Sequence, residues 1–473
     1  ILIFFVFAFK NKEAIDPEFL KESKWVDSVF NSLNQDERIA QLFMVAAYSN
    51  KDLKHVKEIK ELITNYKIGG LIWMQGGPVR QGKLANYYQS ISKTPMLFSI
   101  DGEWGLSMRL DSTVRYPKQM TLGAIQNDSL IFEMGVQIAK ECKRIGLHIN
   151  FAPDADVNNN PLNPVIGIRS FGENKYKVAQ KAYMYMAGMQ SQNVLATGKH
   201  FPGHGDTDSD SHKTLPQINH SAERIDSLEL YPFKYLIENG IGSMMVAHLN
   251  IPALDTTKNL PSTLSPKIVK ELLINKLNFK GVIFTDALNM QGVAKYYQPG
   301  VADVMALLAG NDILLFSGDV PKAIIEIKKA IAEGKITQNE IDDKCKKILK
   351  LKYWCGLNTK PEIVTKNLYK DLNTKESDAL NDKLCNAAVT LLKNENYTLP
   401  IEADINSKTL ELSLGLEEEN TFYKTLKKQI NIDHLGLKHN ATPKEIEQVF
   451  TQLLQYKNII IQINKSTLKA ENN

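Results

Sequence analysis

NVLATGKHFPGHGDTDSDSH, residues 193–212, opens as an apolar run and closes as a loop crowded with titratable groups. Its first eight residues, NVLATGKH, are short and show no clean alternation of apolar and polar side chains. That is the pattern of a strand covered on both faces. Gly203 and Gly205 then break any regular structure. Residues 199–212 gather three histidines, three aspartates and a lysine.

Seven further runs of the same kind flank this one: IAQLFMVAA (39–47), IGGLIWMQ (68–75), TPMLFSID (94–101), LHINFAPD (147–154), SMMVAHLN (243–250), GVIFTDA (281–287) and NDILLFSG (311–318). Between them lie stretches of helical period, among them 52–66, 130–146, 265–277 and 319–334. Several open on Asp or Ser as an N-cap and close near Gly or Asn. Eight strand–helix units in succession predict an α/β fold, a TIM-type (β/α)8 barrel over residues 26–357. A doubly wound open sheet is the alternative, but no GxGxxG follows a strand to support it.

The segments outside the barrel read differently. ILIFFVFAFK, at residues 1–10, holds nine apolar residues before Lys10, too few to span a bilayer. It matches the apolar core of a signal peptide without its basic start, with Ala8 near a cleavage point, so residues 1–25 are expected to be a leader remnant and the protein to be exported, periplasmic or extracellular. A buried N-terminal strand is the other reading. No other segment is a membrane-span candidate, so no integral membrane segment is expected in the mature chain. Residues 336–357 read as an amphipathic helix and 358–377 as a linker. From 378 to 473 a βα rhythm resumes in NAAVTLLKN, TLELSLG, FYKTLKKQI and EIEQVFTQLLQYKNIIIQI, predicting the start of a second α/β domain of sandwich type, truncated soon after a strand.

Composition narrows the function. The chain is 43% hydrophobic and 23% charged, with a net charge of only +4 over 473 residues. No basic block interleaves with aromatics, which excludes nucleic acid as the expected partner. The four cysteines form neither a CxxC nor a Cys/His ligand spacing and read as packed thiols. Only seven of the 57 cationic residues are arginines, and an Arg beside a strand end in such a chain marks a place where a planar fork of donors is wanted.

In a TIM barrel the active site lies at the C-terminal ends of the strands. Here those ends carry Asp101, Asp154, Asp156, Lys199, His200, His248 and Asp286. Any one of them alone reads as a cap or a surface charge. Their convergence points to a polar ligand site. A metal is a weaker account of the 199–212 loop. Asp206, Asp208 and Asp210 are spaced like the start of a calcium loop, but its sixth position is Ser211 instead of Gly and its twelfth Gln217 instead of Glu; no HExxH is present for zinc. A solvated turn leaves Lys199 and His200 unexplained, because both end an apolar strand where burial is costly without a polar partner. Acid–base catalysis on a sugar fits better. Asp286, just past an apolar strand, can act as a nucleophile at an anomeric carbon. Asp210, two residues before His212, can hold and charge its imidazole.

KHFPGHGDTDSDSH, FAPDADVNNNPLNPVIGIRSFG, VAHLNIPALD and GVIFTDALNM together resemble the bacterial β-N-acetylglucosaminidases of glycoside hydrolase family 3, over about residues 30–355. NAAVTLLKNENYTLPI resembles the start of that family's second domain. The resemblance implies a retaining, two-step mechanism with no metal and no cofactor. It implies Asp286 as nucleophile, His212 as acid/base with Asp210 as its dyad partner, and Asp101, Arg109, Arg169, Lys199 and His200 as binders of the terminal sugar. His204 and His248 also match, and His248 is expected to be a pocket-wall or a hydrogen-bonded histidine. One departure stands out. The family's DQEGGR reads DGEWGL here, so Trp104 replaces a glycine and is expected to bear on the pocket rim. The expected activity is removal of terminal β-linked GlcNAc from muropeptides or chitooligosaccharides. A glycoside phosphorylase is one rival, since a His acid/base does not repel an incoming phosphate as a carboxylate would. A non-catalytic carbohydrate-binding barrel is another, against which the intact Asp286, Asp210 and His212 argue.

Overall fold

The computed structural model describes residues 16–210, 213–359, 361–397, 399–401 and 408–463. The apolar opening Ile1–Phe9 and the expected acid/base His212 therefore lie outside the described residues. Each of the eight apolar runs contains one strand: β1 (Phe43–Ala47), β2 (Gly70–Trp73), β3 (Leu97–Ile100), β4 (Ile149–Asn150), β5 (Leu195–Phe201), β6 (Ser243–Val246), β7 (Val282–Thr285) and β8 (Leu314–Leu315). All pair in parallel, in the order β7-β6-β5-β4-β3-β2-β1-β8. A parallel bridge between Phe284 and Ile313 joins the two ends of that order and closes the ring. The strands are buried on both faces, which is why their sequences lack alternation. Inside the ring Phe151 and Phe284 meet edge to face at 5.1 Å, filling the barrel as a packed core.

The helices follow the expected pattern. Asp52 caps α1 (Leu53–Glu61) by accepting from the His55 N–H. Beyond it come α2 (Ser129–Arg144), α3 (Lys175–Gln190), α4 (Val320–Ala332), capped by Asp319, and α5 (Gln338–Trp354), whose Thr337–Glu340 capping box satisfies both ends of the first turn. No helix among the described residues is long and apolar enough to cross a membrane.

The first compact unit runs to Val389, past the 377/378 boundary expected from composition. The reason is α6 (Lys375–Ala388), an amphipathic helix that buries Leu380 and Leu384 in the barrel unit's core. Its Ser377 Oγ donates to Glu141 Oε1 on α2 at 3.3 Å. Residues 358–377, expected as linker, likewise send Leu368 and Leu372 into that core.

The second unit, from Thr390, holds three parallel strands, β9 (Thr409–Leu414), β10 (Ile432–Leu437) and β11 (Asn458–Ile463), in the order β10-β9-β11. Helices Thr421–Leu426 and Pro443–Leu453 connect them. This is the expected βα rhythm with one correction. NAAVTLLKN makes no strand: its first residues close α6, and 389–394 have no regular structure. The apolar residues there lack a paired partner strand, and Leu391 and Leu392 are exposed.

Candidate active site

A cavity of about 380 Å³ opens at the C-terminal ends of the strands, and Asp101, Arg109, Arg169, Lys199, His200 and Asp286 all line it. The chain delivers them from four different strand ends. Asp101 directly follows β3, and the turn after it is tied down by Asn150 at the end of β4, whose Oδ1 accepts from the Gly102 N–H at 2.8 Å. Lys199 and His200 are neighbours in β5, so regular pleating would send them to opposite faces. The pairing of β5 with β6 slips between Gly198 and Phe201, and this irregularity re-aims the chain so that both side chains reach the cavity.

The charges form one connected set. Asp101 accepts from Arg109 Nη2 at 2.6 Å on one oxygen and from Lys199 Nζ at 3.0 Å on the other. Burial alone would raise its pKa, but Lys199 and Arg109 outweigh that and hold the carboxyl well below the usual range. Glu103, fully buried, accepts from Arg169 Nε at 3.0 Å and Nη2 at 2.8 Å and lies 2.8 Å from Lys199 Nζ. Burial works against its ionisation too, and Arg169 and Lys199 again keep it charged. Lys199 is in turn held protonated: burial opposes its charge, and Asp101 and Glu103 more than restore it.

Below this layer Asp156 organises His200 and His204. It accepts from His200 Nδ1 at 2.8 Å and from the His204 N–H at 2.6 Å. Arg169 Nη2 lies 3.2 Å from His200 Nε2. A guanidinium only donates, so Nε2 accepts and the ring's proton sits on Nδ1, facing Asp156. Asp154, beside it, is pushed well above the usual carboxylate range by burial and by the Asp156 charge. Burial likewise lowers the His204 pKa to about 4, so this histidine is neutral, bonded through Nδ1 to Thr207 Oγ1 at 2.8 Å.

Asp286 sits one residue past β7, with its N–H donating to Val246 O at 3.0 Å and its Oδ1 accepting from the Ala287 N–H at 2.8 Å. His248 holds the following carbonyl. Its Nε2 donates to Ala287 O at 3.0 Å while Nδ1 meets Thr263 Oγ1 at 2.7 Å. It is a structural hydrogen-bonded histidine, as the sequence reading expected. Asp210 is not among the residues that line the cavity; its carbonyl accepts from the Lys213 and Thr214 N–H groups, both at 2.9 Å. Trp104 is not in the lining either: the Lys118 ammonium lies 5.1 Å from its ring centroid. Apolar side chains complete the wall, among them Met74, Met290, Leu315 and Phe316.

Two groups among the described residues bring three metal-ligating side chains together: Asp154, Asp156 and His200, and Asp206, His220 and Glu229. The first is a poor cation site. Arg169 Nη2 stands 3.8 Å from Asp154 Oδ2 and 3.2 Å from His200 Nε2, and the ring proton on Nδ1 already serves Asp156.

Glu103 is the functional residue that sequence reading missed. Its partner Arg169 is 66 positions away. The signal available was its place two residues after Asp101, at a strand end, in a chain whose few arginines need counter-charges.

Residues 34–351 match the model of the glycosyl hydrolase family 3 N-terminal domain. The chain belongs to glycoside hydrolase family 3. Among its relatives in the family, a β-hexosaminidase A of Pseudoalteromonas piscicida is 31% identical over 376 residues, 73% of this chain and 62% of that protein. The match thus spans less than two thirds of that relative's length. A solved family 3 β-N-acetylglucosaminidase from a Paenibacillus strain superposes with a TM-score of 0.75 at 29% identity, covering 91% of this chain and 84% of the other. A solved β-glucoside phosphorylase has the same fold, with a TM-score of 0.81 at 20% identity over 95% of this chain and 84% of the other. The family 3 barrel is thus the part of the chain that carries the cavity.

Proposed function

We propose that the protein is a retaining exo-β-N-acetylglucosaminidase that releases terminal β-linked GlcNAc from muropeptides or chitooligosaccharides. One observation carries the reading: a single cavity collects Asp286 and five polar side chains suited to sugar hydroxyls, from strand ends far apart in sequence. The names borne by the relatives favour the N-acetylated sugar. In this mechanism Asp101, Arg109, Lys199, Arg169 and His200 hold the hydroxyls of the non-reducing residue. Their geometry is set in advance by Glu103 and Asp156, so orientation is not lost at each turnover. The apolar wall of Met74, Met290 and Phe316 suits a sugar face and an acetamido methyl.

Asp286 Oδ2 attacks the anomeric carbon, while Oδ1 stays on the Ala287 N–H and the carboxylate keeps one orientation. His212 protonates the leaving oxygen, and the glycosyl ester on Asp286 forms as the glycosidic bond breaks. Neutral His212 then takes a proton from water, which displaces Asp286 with a second inversion and so restores the β configuration. Asp210 favours the charged imidazole. We also propose export, on the strength of the apolar segment Ile1–Phe9 and a polysaccharide substrate; a cytosolic mature protein that retains Ile1–Phe9 contradicts it.

The test is product analysis on GlcNAc-MurNAc and chitobiose, with and without phosphate. The expected result is free β-GlcNAc as first product at a rate independent of phosphate. A sugar 1-phosphate that appears only with phosphate refutes hydrolysis, and no turnover of either disaccharide refutes the enzyme reading.

A further inference from the structure

The loop that bears Asp210 and His212 has two roots, and they meet. Asp206 at its start and His220 at its end are hydrogen-bonded, His220 Nε2 to Asp206 Oδ2. Glu229 comes against the same place from beyond the next short helix. Gly203 makes room for it: at φ +128°, a Cβ there would stand only 2.8 Å from the Glu229 Cβ. Ligand atoms of Asp206, His220 and Glu229 all lie within 4.8 Å of one another.

Glu229 is the odd member. Its side chain is 2% exposed, and neither carboxylate oxygen meets a donor in hydrogen-bonding geometry. Arg224 gives only an ion pair, with Nη2 at 3.1 Å from Glu229 Oε1 and 3.9 Å from Asp206 Oδ2. A buried carboxylate without hydrogen bonds is costly, and here it is aimed at an imidazole and a second carboxylate.

We propose that Asp206, His220 and Glu229 form a divalent-cation site of the zinc class that joins the two roots of this loop. An imidazole nitrogen beside two carboxylates selects zinc, cobalt or nickel over magnesium and calcium, which prefer all-oxygen shells. Three protein ligands and one water complete a tetrahedron. With bonds of about 2.0–2.2 Å, the ligand atoms stand roughly 3.3–3.6 Å apart, so His220 Nε2 and Asp206 Oδ2, now in hydrogen-bond contact, part by about an ångström to admit the ion, and Glu229 turns a carboxylate oxygen onto it. His220 binds as the neutral imidazole, its Nε2 turned to the ion and its ring proton carried on Nδ1. Arg224, 35% exposed, swings outward because the ion takes over its role. Nothing in this binding depends on the hydrolase reading; only a coupling between the ion and turnover would.

The experiment uses the untagged full chain, freed of metal, with Zn²⁺ by equilibrium dialysis and Co²⁺ by visible absorption. The expected result is one ion per chain, with the intense bands of four-coordinate cobalt. His220→Gln and Glu229→Gln should each weaken binding by about tenfold or more, and Arg224→Gln should strengthen it by removing the competing cation. Backbone amide exchange across 206–220 should slow when Zn²⁺ binds. The folded state of each variant is checked by circular dichroism, and His220→Gln, at a partly exposed position, serves if Glu229→Gln does not fold. Binding that survives His220→Gln, weaker binding in Arg224→Gln, no stoichiometric ion in the native chain, or unchanged exchange across the loop each overturns the proposal.

Discussion

Replacing Glu103 with Gln tests whether the sugar-binding side chains are held by one buried carboxylate. Glu103 takes two hydrogen bonds from Arg169, at 2.8 and 3.0 Å, and an ion pair from Lys199 at 2.8 Å. Glutamine keeps the shape but has one acceptor oxygen and an NH₂ group, so at least one cationic donor is left facing another donor. Removing one partner from a buried ion pair typically costs about 3–5 kcal/mol. Lys199 keeps Asp101, which places the expectation near the lower end. Taking roughly 2.1 cal/mol/K of unfolding entropy per residue over the unit ending at Val389, a loss of that size lowers the melting temperature by roughly 4–6 °C. If one charge-assisted contact to the sugar fails with it, about 1.5–3 kcal/mol, kcat/KM falls about 10- to 150-fold. Glu103→Asp should recover part of both. The sign with pH is fixed as well. Because the folded state holds Glu103 below its usual pKa, its contribution is present above the unfolded value and is lost only as pH falls through the lower folded value. The wild-type advantage should therefore be full above the unfolded carboxylate value, shrink as pH falls below it and close at the lower folded value. Differential scanning calorimetry and steady-state kinetics on chitobiose decide. A Glu103→Gln enzyme that melts with the wild type and keeps its kcat/KM refutes the organising role.

His212→Ala should reduce cleavage of disaccharides about 10²–10⁴-fold but activated aryl glycosides far less, with Asp210→Asn a milder copy whose alkaline limb moves to lower pH; equal small losses on both substrates place the acid elsewhere. A fluorinated GlcNAc analogue should label Asp286, found by peptide mass, and Asp286→Ala should lose turnover; a label on another residue excludes it as nucleophile. A chain ending at Val389 should fold and turn over. One ending at Leu357 strips Leu368, Leu372, Leu380 and Leu384 from the core, each worth about 1.5–3 kcal/mol, and should be measurably less stable to urea. Burial raises the Glu141 carboxyl from 4.5 to about 7, so the stability it contributes is full below the unfolded value and is lost as pH rises through about 7. Glu141→Gln should therefore gain on the wild type over that interval, and urea midpoints that run parallel with pH would contradict the assignment.

The barrel was legible because eight doubly covered strands leave eight unbroken apolar runs, even where the strand itself shrinks to Ile149–Asn150 or Leu314–Leu315. The cavity side chains were legible because strand ends are where a barrel exposes polar groups, and Asp101, Lys199, His200 and Asp286 stand there in the sequence. What supports them was not. Glu103 and Asp156 act through partners far along the chain, and no local pattern states that pairing. The slip in β5 that turns Lys199 and His200 to one side leaves no mark in NVLATGKH. The extent of the first unit was hidden for a similar reason. Residues 358–377 look like linker by composition, and only the contact of Leu368 and Leu372 with the core shows them to be part of it.

The charged set around the cavity is close to balanced. Asp101 and Glu103 face Arg109, Arg169 and Lys199, Asp156 faces His200, and the Asp286 carboxylate adds one more anion to the lining. Opposed charges this close cancel at a distance, so little field leaves the mouth of the barrel. A neutral sugar is therefore neither drawn in nor held off by long-range attraction, and dissolved ions have almost nothing to screen. Capture of a neutral chitooligosaccharide should be indifferent to ionic strength, set by the shape of the cavity and by hydrogen bonds formed only once the sugar is inside.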